Sequence, residues 1–98
     1  MIVFEDNALA DLERILRFNA ERDPATALEH LHRIRDGVSI LGDHPEIGRL
    51  VAGSQLRELV ISHGSSGYIA LYAHTRAQNE VRVVAVRHQR EAGYQGMP

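Results

Sequence analysis

The last third of the chain holds three strand-like runs separated only by short polar gaps: Leu56–Ser62, Tyr68–His74 and Val81–His88. Each is apolar on both of its alternating faces. In the second run Tyr68, Ala70, Tyr72 and His74 point one way and Ile69, Leu71 and Ala73 the other. In the third, simple alternation sets Val81, Val83 and Ala85 against Arg82, Val84, Val86 and His88. A sheet covered on one side normally keeps a polar side. These runs have none, so the fold must cover both faces or leave one for a partner.

The residues available for covering come earlier. Ala8, Leu9, Leu12, Ile15, Leu16 and Asn19 share one stripe at helical spacing, and predict a helix from about Asn7 to Arg22, capped by Asp6 or Asn7. Asp23-Pro24 predicts a restart, with an acid at the cap and proline at the first helical position. Ala27, Leu28, Leu31, Ile34, Val38 and Leu41 carry that second helix to about Leu41, where Gly42 and Pro45 end it. So short a connection predicts an antiparallel helix pair. Ile2-Val-Phe4 is a short first strand. Residues 42–55 are expected to be a loop anchored by Ile47 and Leu50, Gly64-Ser-Ser-Gly67 and Thr75–Asn79 to be turns, and Glu91–Pro98 a tail. The expectation is one α+β domain over residues 1–98: strand, helix, helix, three strands, with the helix pair on one face of a small, mostly antiparallel sheet. Two helices of about four turns shield only one face of four strands, so the surplus apolar face is a candidate seat for another polypeptide.

Charge is unevenly divided. Residues 1–48 hold ten acids and five arginines (−5), and residues 49–98 three acids and six arginines (+3), for a net charge of −2. All eleven cations are arginine, whose planar fork suits carboxylate and phosphate. An overall acidic balance speaks against a dedicated nucleic-acid binder. The absence of cysteine rules out disulfides and thiolate metal sites. Met1-Ile-Val-Phe turns acidic at Glu5 and Asp6, which is neither a signal peptide nor a membrane span. No membrane association is expected, and cytoplasmic location is.

Six histidines raise the question of a metal, but no two have ligand spacing, so neither a metal nor a cofactor is expected. Five are expected to be solvated. His88 differs: Arg90 lies two residues on, Arg82 shares their parity further back, and Tyr94 follows within reach. Imidazole exchanges protons near neutrality and guanidinium holds phosphate, so His88, Arg90 and Tyr94 could cut RNA. Arg57 and Glu58 point to opposite faces, so only one of them could join such a site.

Taken together, Ala8-Leu-Ala-Asp-Leu-Glu-Arg-Ile15, Pro24 with Ala27, Pro45-Glu-Ile-Gly-Arg49, Leu56-Arg-Glu-Leu59, Gly67-Tyr-Ile-Ala-Leu-Tyr72 and Val84–Arg90 resemble the RelE/ParE toxin superfamily of type II toxin–antitoxin systems. The resemblance spans nearly the whole chain. It implies two helices on a small antiparallel sheet, and a cognate antitoxin, ParD-like or RelB-like, that wraps the toxin. The face bearing Ile69, Leu71 and Ala73 is then the expected antitoxin seat, and DNA is met only through the antitoxin. RelE-like members cleave mRNA in the ribosome; ParE-like members poison DNA gyrase without nuclease chemistry. The RelE pattern places an arginine directly after Gly-Tyr, where this chain has Ile69, and lysines in the preceding strand, where it reads Val60-Ile-Ser-His-Gly-Ser65. Only Arg90 and Tyr94 match that pattern, and His88 has counterparts in both branches. The ParE-like branch is therefore favoured. It needs no catalytic residue and leaves Arg82, His88 and Arg90 as the expected target-binding surface. In the nuclease alternative, His88, Arg90 and Tyr94 would be catalytic. A third possibility is a non-toxic member that binds its partner and helps repress its operon.

Overall fold

Helical and strand periodicities settle into a five-stranded sheet with two helices on one face, in a computed structural model that describes residues 1–63 and 66–96. In chain order the elements are β1 (Ile2–Phe4), α1 (Asp6–Arg22), α2 (Ala27–Ser39), β2 (Arg49–Leu50), β3 (Leu56–His63), β4 (Ser66–Thr75) and β5 (Glu80–His88). The strand order is β1-β5-β4-β3-β2. β1 is parallel to β5, and the other pairings are antiparallel. This is the expected α+β class with one strand more than predicted: Arg49 and Leu50 pair with Glu58 and Arg57 inside the presumed loop. The tip of the expected Gly64–Gly67 turn lies outside the described residues.

α1 follows its stripe with one exchange. Leu9 is half exposed, and the buried place goes to Asp11, at 2% exposure. The reason lies at the edge of β5. β1 ends at Phe4, so beyond Val83 the edge of β5 away from β4 has no strand neighbour. Side chains complete the ladder instead: Asn7 Nδ2 donates to the Val84 carbonyl (3.2 Å), the Val86 amide donates to Asp11 Oδ2 (2.8 Å), and the His88 amide donates to Glu91 Oε1 (3.0 Å). Buried backbone groups require such partners. Asn7 is thus spent on the sheet rather than on a helix cap.

α2 starts at Ala27, three residues after Pro24. The Thr26 amide donates to the Asp23 carbonyl (3.1 Å), so residues 23–26 are a turn that delays the helix. Gly37 brings α2 close to β3, because a Cβ there would meet Ile61 Cγ2 at 2.8 Å. Ile47 and Leu50, expected as anchors, are about half exposed at 55% and 53%. What anchors that loop is polar: the buried Gly48 amide donates to the Tyr72 hydroxyl (2.9 Å).

The core lies between helices and sheet and contains Ala8, Ile15, Ile34, Val38, Leu41, Ile61, Tyr68, Ala70, Tyr72, Val81, Val83 and Val86. That list corrects the alternation assumed for β5. Leu71 pairs with Ala85 but Tyr72 pairs with Val83, so Val84 is an extra residue in a bulge. The bulge reverses the parity beyond it. Val86 and His88 join Val81 and Val83 on the helix face, while Arg82, Ala85 and Arg87 share the opposite face.

On that opposite face the chain partly seals itself. The tail crosses back so that Tyr94 donates to Glu58 Oε2 (2.5 Å), with the Arg87 guanidinium 5.0 Å from its ring centre. Glu58 pairs across the sheet with Leu71, and Leu71 with Ala85. Leu71 and Ala85 are 5% and 0% exposed. Ile69, Leu71 and Ala73 do share this face, but Leu71 is buried. The surplus apolar surface shrinks to Val60, 61% exposed, and its half-buried neighbours.

Candidate functional site

A cleft opens where α1 passes the end of β5. It is lined by Arg14, Ile15, Phe18, Asn19 and Arg22 of α1, by Tyr68 and His88, and by Arg90 and Glu91 of the turn after β5. The helical spacing that buries Ile15 puts Phe18, Asn19 and Arg22 on the same side one turn on. The bulge delivers His88 to this side, opposite Tyr68.

Tyr68 is the hub of the floor. Its hydroxyl lies 2.9 Å from His30 Nδ1 and accepts from Asn19 Nδ2 (3.3 Å). Its ring meets those of His30 and His88 edge-on, with centroids at 6.0 and 5.3 Å. Burial raises the Tyr68 pKa, and Asn19 offsets only part of that. The Arg90 amide donates to His88 Nδ1 (3.1 Å), so a neutral His88 carries its proton on Nε2. Arg14 bridges Glu91 (3.1 Å) and Asp11 (3.4 Å) along the inner wall. Burial would raise the Glu91 pKa. The bonds from the His88 amide and Arg14 outweigh it and hold the carboxyl below its usual range.

The outer rim is different. The Arg22 guanidinium lies 5.1 Å from the Phe18 ring centre. Among the described residues, neither Arg22 nor Arg90 has an acidic partner. Three arginines therefore line the cleft against one carboxylate, Glu91, which is already spent.

The sequence-predicted site is only partly assembled. His88 and Arg90 meet in the cleft. Arg82 lies on the other face and pairs with Glu80 (2.9 Å) and Glu5 (3.8 Å). Tyr94 is also on the far side, where burial and the Glu58 carboxylate push its pKa up. The Tyr94 bond, ahead of the opposing effect of burial, lowers that of Glu58. Neither Arg57 nor Glu58 reaches the cleft. Arg57 donates to the Glu46 and Gly48 carbonyls (3.1 and 2.8 Å). Two histidines expected in solvent are engaged: His30 with Tyr68, and His74, whose Nδ1 lies 3.3 Å from Glu46 Oε2 and whose Nε2 is buried. Sequence reasoning missed Arg14, Phe18 and Arg22. Their one signal was the i, i+4 spacing of Arg14, Phe18 and Arg22 along the edge of the apolar stripe. Among the described residues, no group of three or more His, Cys, Asp or Glu is placed to hold a metal ion, and no helix is long and apolar enough to cross a membrane.

Fold and cleft together define a small α+β protein with cations left over at the joint between helix and sheet. The family profile described as "ParE toxin of type II toxin-antitoxin system, parDE" matches residues 2–93. The chain belongs to that family, and is a toxin of a type II toxin–antitoxin system with an antitoxin as its partner. Among solved structures it is similar to "Chromosomal ParDE TA system from P. aeruginosa", with 19% identity over 89% of this chain and 92% of that one and a TM-score of 0.75. At that identity the likeness speaks for the fold. No curated protein matches the chain.

Proposed function

We propose that the chain arrests growth by inhibiting DNA gyrase, and that a ParD-like antitoxin neutralises it. The observation that carries this reading is the separation of His88 from Tyr94 by the thickness of the sheet. Cutting RNA needs a base, an acid and phosphate-holding groups around one phosphodiester, each within hydrogen-bond reach. Here Tyr94 is bound to Glu58 on the far face, and its raised pKa opposes loss of its proton. His88 has Nδ1 engaged and only Nε2 left to offer. A net charge of −2 also suits a protein target better than densely anionic RNA.

In this reading no side chain is catalytic. His88 and Arg90 form the target-facing patch, without Arg82, whose charge is taken up by Glu80 and Glu5. The chain works in the cytoplasm, where gyrase is, and meets DNA only through its antitoxin and its target. The test is a supercoiling assay with purified gyrase beside a ribosome-programmed mRNA cleavage assay. Inhibition at micromolar protein, weakened in Arg90→Ala, is the expected result. Cut mRNA with unaffected gyrase would overturn the proposal, and so would harmless expression of the folded chain without antitoxin.

A further inference from the structure

We propose that the α1–β5 cleft binds a small ligand, a nucleoside phosphate, with its base on Phe18 and its phosphates between Arg22 and Arg90. Such a site stands whether or not gyrase is the target.

The cleft encloses about 680 Å³, inside the range of about 300–1,000 Å³ usual for small-ligand sites. It offers two kinds of contact side by side. Phe18 is 54% exposed beside the buried Ile15, so an aromatic ring lies open within the cleft. Any nucleobase can stack on such a ring. Arg22 and Arg90 are exposed, and neither has an acid opposite it among the described residues. Guanidinium forks hold phosphate oxygens in pairs. The Arg22 fork already sits 5.1 Å from the Phe18 ring centre, so stacking and phosphate contacts fall within the span of one nucleotide. His88 adds a neutral donor. Its Nδ1 is taken by the Arg90 amide, which leaves Nε2–H for a phosphate or ribose oxygen.

Simpler ligands use only part of this. An inorganic anion leaves Phe18 bare, and an uncharged aromatic leaves both arginines without a counter-charge. A polynucleotide asks for more than the cleft supplies. It gains affinity from each further phosphate it meets, and the cleft has two open cations. Glu21 and Asp23 flank Arg22 in the chain and both are exposed, so a strand running past the end of α1 meets carboxylates. One base and a short phosphate chain match what is there.

Calorimetric titration of the purified chain with ADP tests this, beside adenosine, pyrophosphate and a short single-stranded RNA. ADP should bind with a dissociation constant below about 1 mM, and adenosine and pyrophosphate roughly tenfold or more weakly, since each carries half of the ligand. GDP should match ADP within roughly threefold, because stacking tolerates either base. An Arg22→Ala/Arg90→Ala double variant should lose roughly tenfold or more in ADP affinity, with a flatter salt dependence. Phe18→Ala should lose roughly threefold or more for ADP and leave pyrophosphate within roughly twofold. Val60→Asp on the opposite face should leave ADP affinity within roughly twofold, as a change outside the site. Circular-dichroism melting establishes that each variant is folded. On addition of ADP, amide resonances of residues 18–22 and 88–91 should shift and those of 56–62 should not. ADP binding weaker than about 1 mM overturns the proposal, and so does unchanged affinity in the folded double variant. Pyrophosphate binding as tightly as ADP would reduce the site to an adventitious ion only. RNA binding more than roughly tenfold tighter than ADP would make it a polynucleotide seat, and either result overturns the proposal.

Discussion

The two ends of the sheet use arginine in opposite ways. At the end near residues 44–49, Arg76 makes a two-pronged ion pair with Glu46 (2.8 and 2.9 Å), and Arg57 caps two loop carbonyls. Those cations are consumed in closing the chain on itself. At the cleft end the same residue type stops being consumed one layer in: Arg14 is paired on the inner wall, while Arg22 and Arg90 outside it are not. Because every cation in the chain is arginine, composition does not distinguish the two uses. What distinguishes them is whether an acceptor lies within reach. Charge left over after folding is charge available to a partner.

The strongest challenge to this contrast is removal of the acid that fills the inner wall. Asp11→Ala strips the Val86 amide of its acceptor, in a buried setting, and Arg14 of one partner in a partly buried one. Breaking such a buried arrangement costs about 3 kcal/mol. For a domain of this size that is a fall in melting temperature of roughly 12–24 °C. A fall of under about 3 °C would mean that the seam is not sealed by Asp11 as described. At the other end, Arg57→Ala frees two carbonyls that are partly solvated, so about 1–2 kcal/mol is expected. Urea denaturation should show the midpoint shifting with an unchanged slope.

Glu46 sharpens the contrast through pH. The side-chain bonds from Arg76 and then His74 lower its pKa to about 2, from an ordinary value of 4.5. The folded value is depressed, so its contribution is fully present above about pH 4.5 and fades as pH falls toward 2. Urea midpoints for the native chain and Glu46→Gln should therefore differ by a constant small amount near neutrality and converge below pH 4.5. A gap that widens as the pH drops would contradict the assigned pairing. The carboxyl is exposed, so this effect should be smaller than that of Arg57→Ala and should shrink in high salt.

Which parts of this were legible in the sequence follows from how local their causes are. Both helices, the three long strands and the α+β class come from periodicities of 3.6 and 2, which neighbouring residues set among themselves. The bulge does not. Val83-Val84-Ala85-Val86 is apolar throughout, so either register buries it, and what decides is Asn7 and Asp11 completing the edge of β5 from 75 or more residues away. That one extra residue placed His88 beside α1 and separated it from Arg82. Tyr94 was misplaced for a related reason: the tail's path is set by Glu58 and Arg87, not by its own residues. The two-residue β2 is too short for any period to reveal it. One available signal was missed: a carboxylate at Asp11 between Ala8 and Leu12, on a stripe otherwise apolar, is an acid that needs a buried donor.

The smallest expected effect on stability separates leftover charge from structural charge. Arg90 has no acidic partner among the described residues, and its amide, not its guanidinium, bonds to His88. Arg90→Ala keeps that amide, so it should change unfolding free energy by no more than about 0.5 kcal/mol, as exposed substitutions without partners do. Arg14→Ala, only a short distance along the same wall, should cost about 1–2 kcal/mol, because it leaves the Asp11 and Glu91 carboxylates without their cation. The pair is informative together. If both variants unfold at the same urea concentration, the division between saturated wall and open rim is not real. If Arg14→Ala alone is destabilised while Arg90→Ala alone loses growth arrest, two arginines lining one cleft serve separate ends, one holding the fold and one meeting what the fold binds.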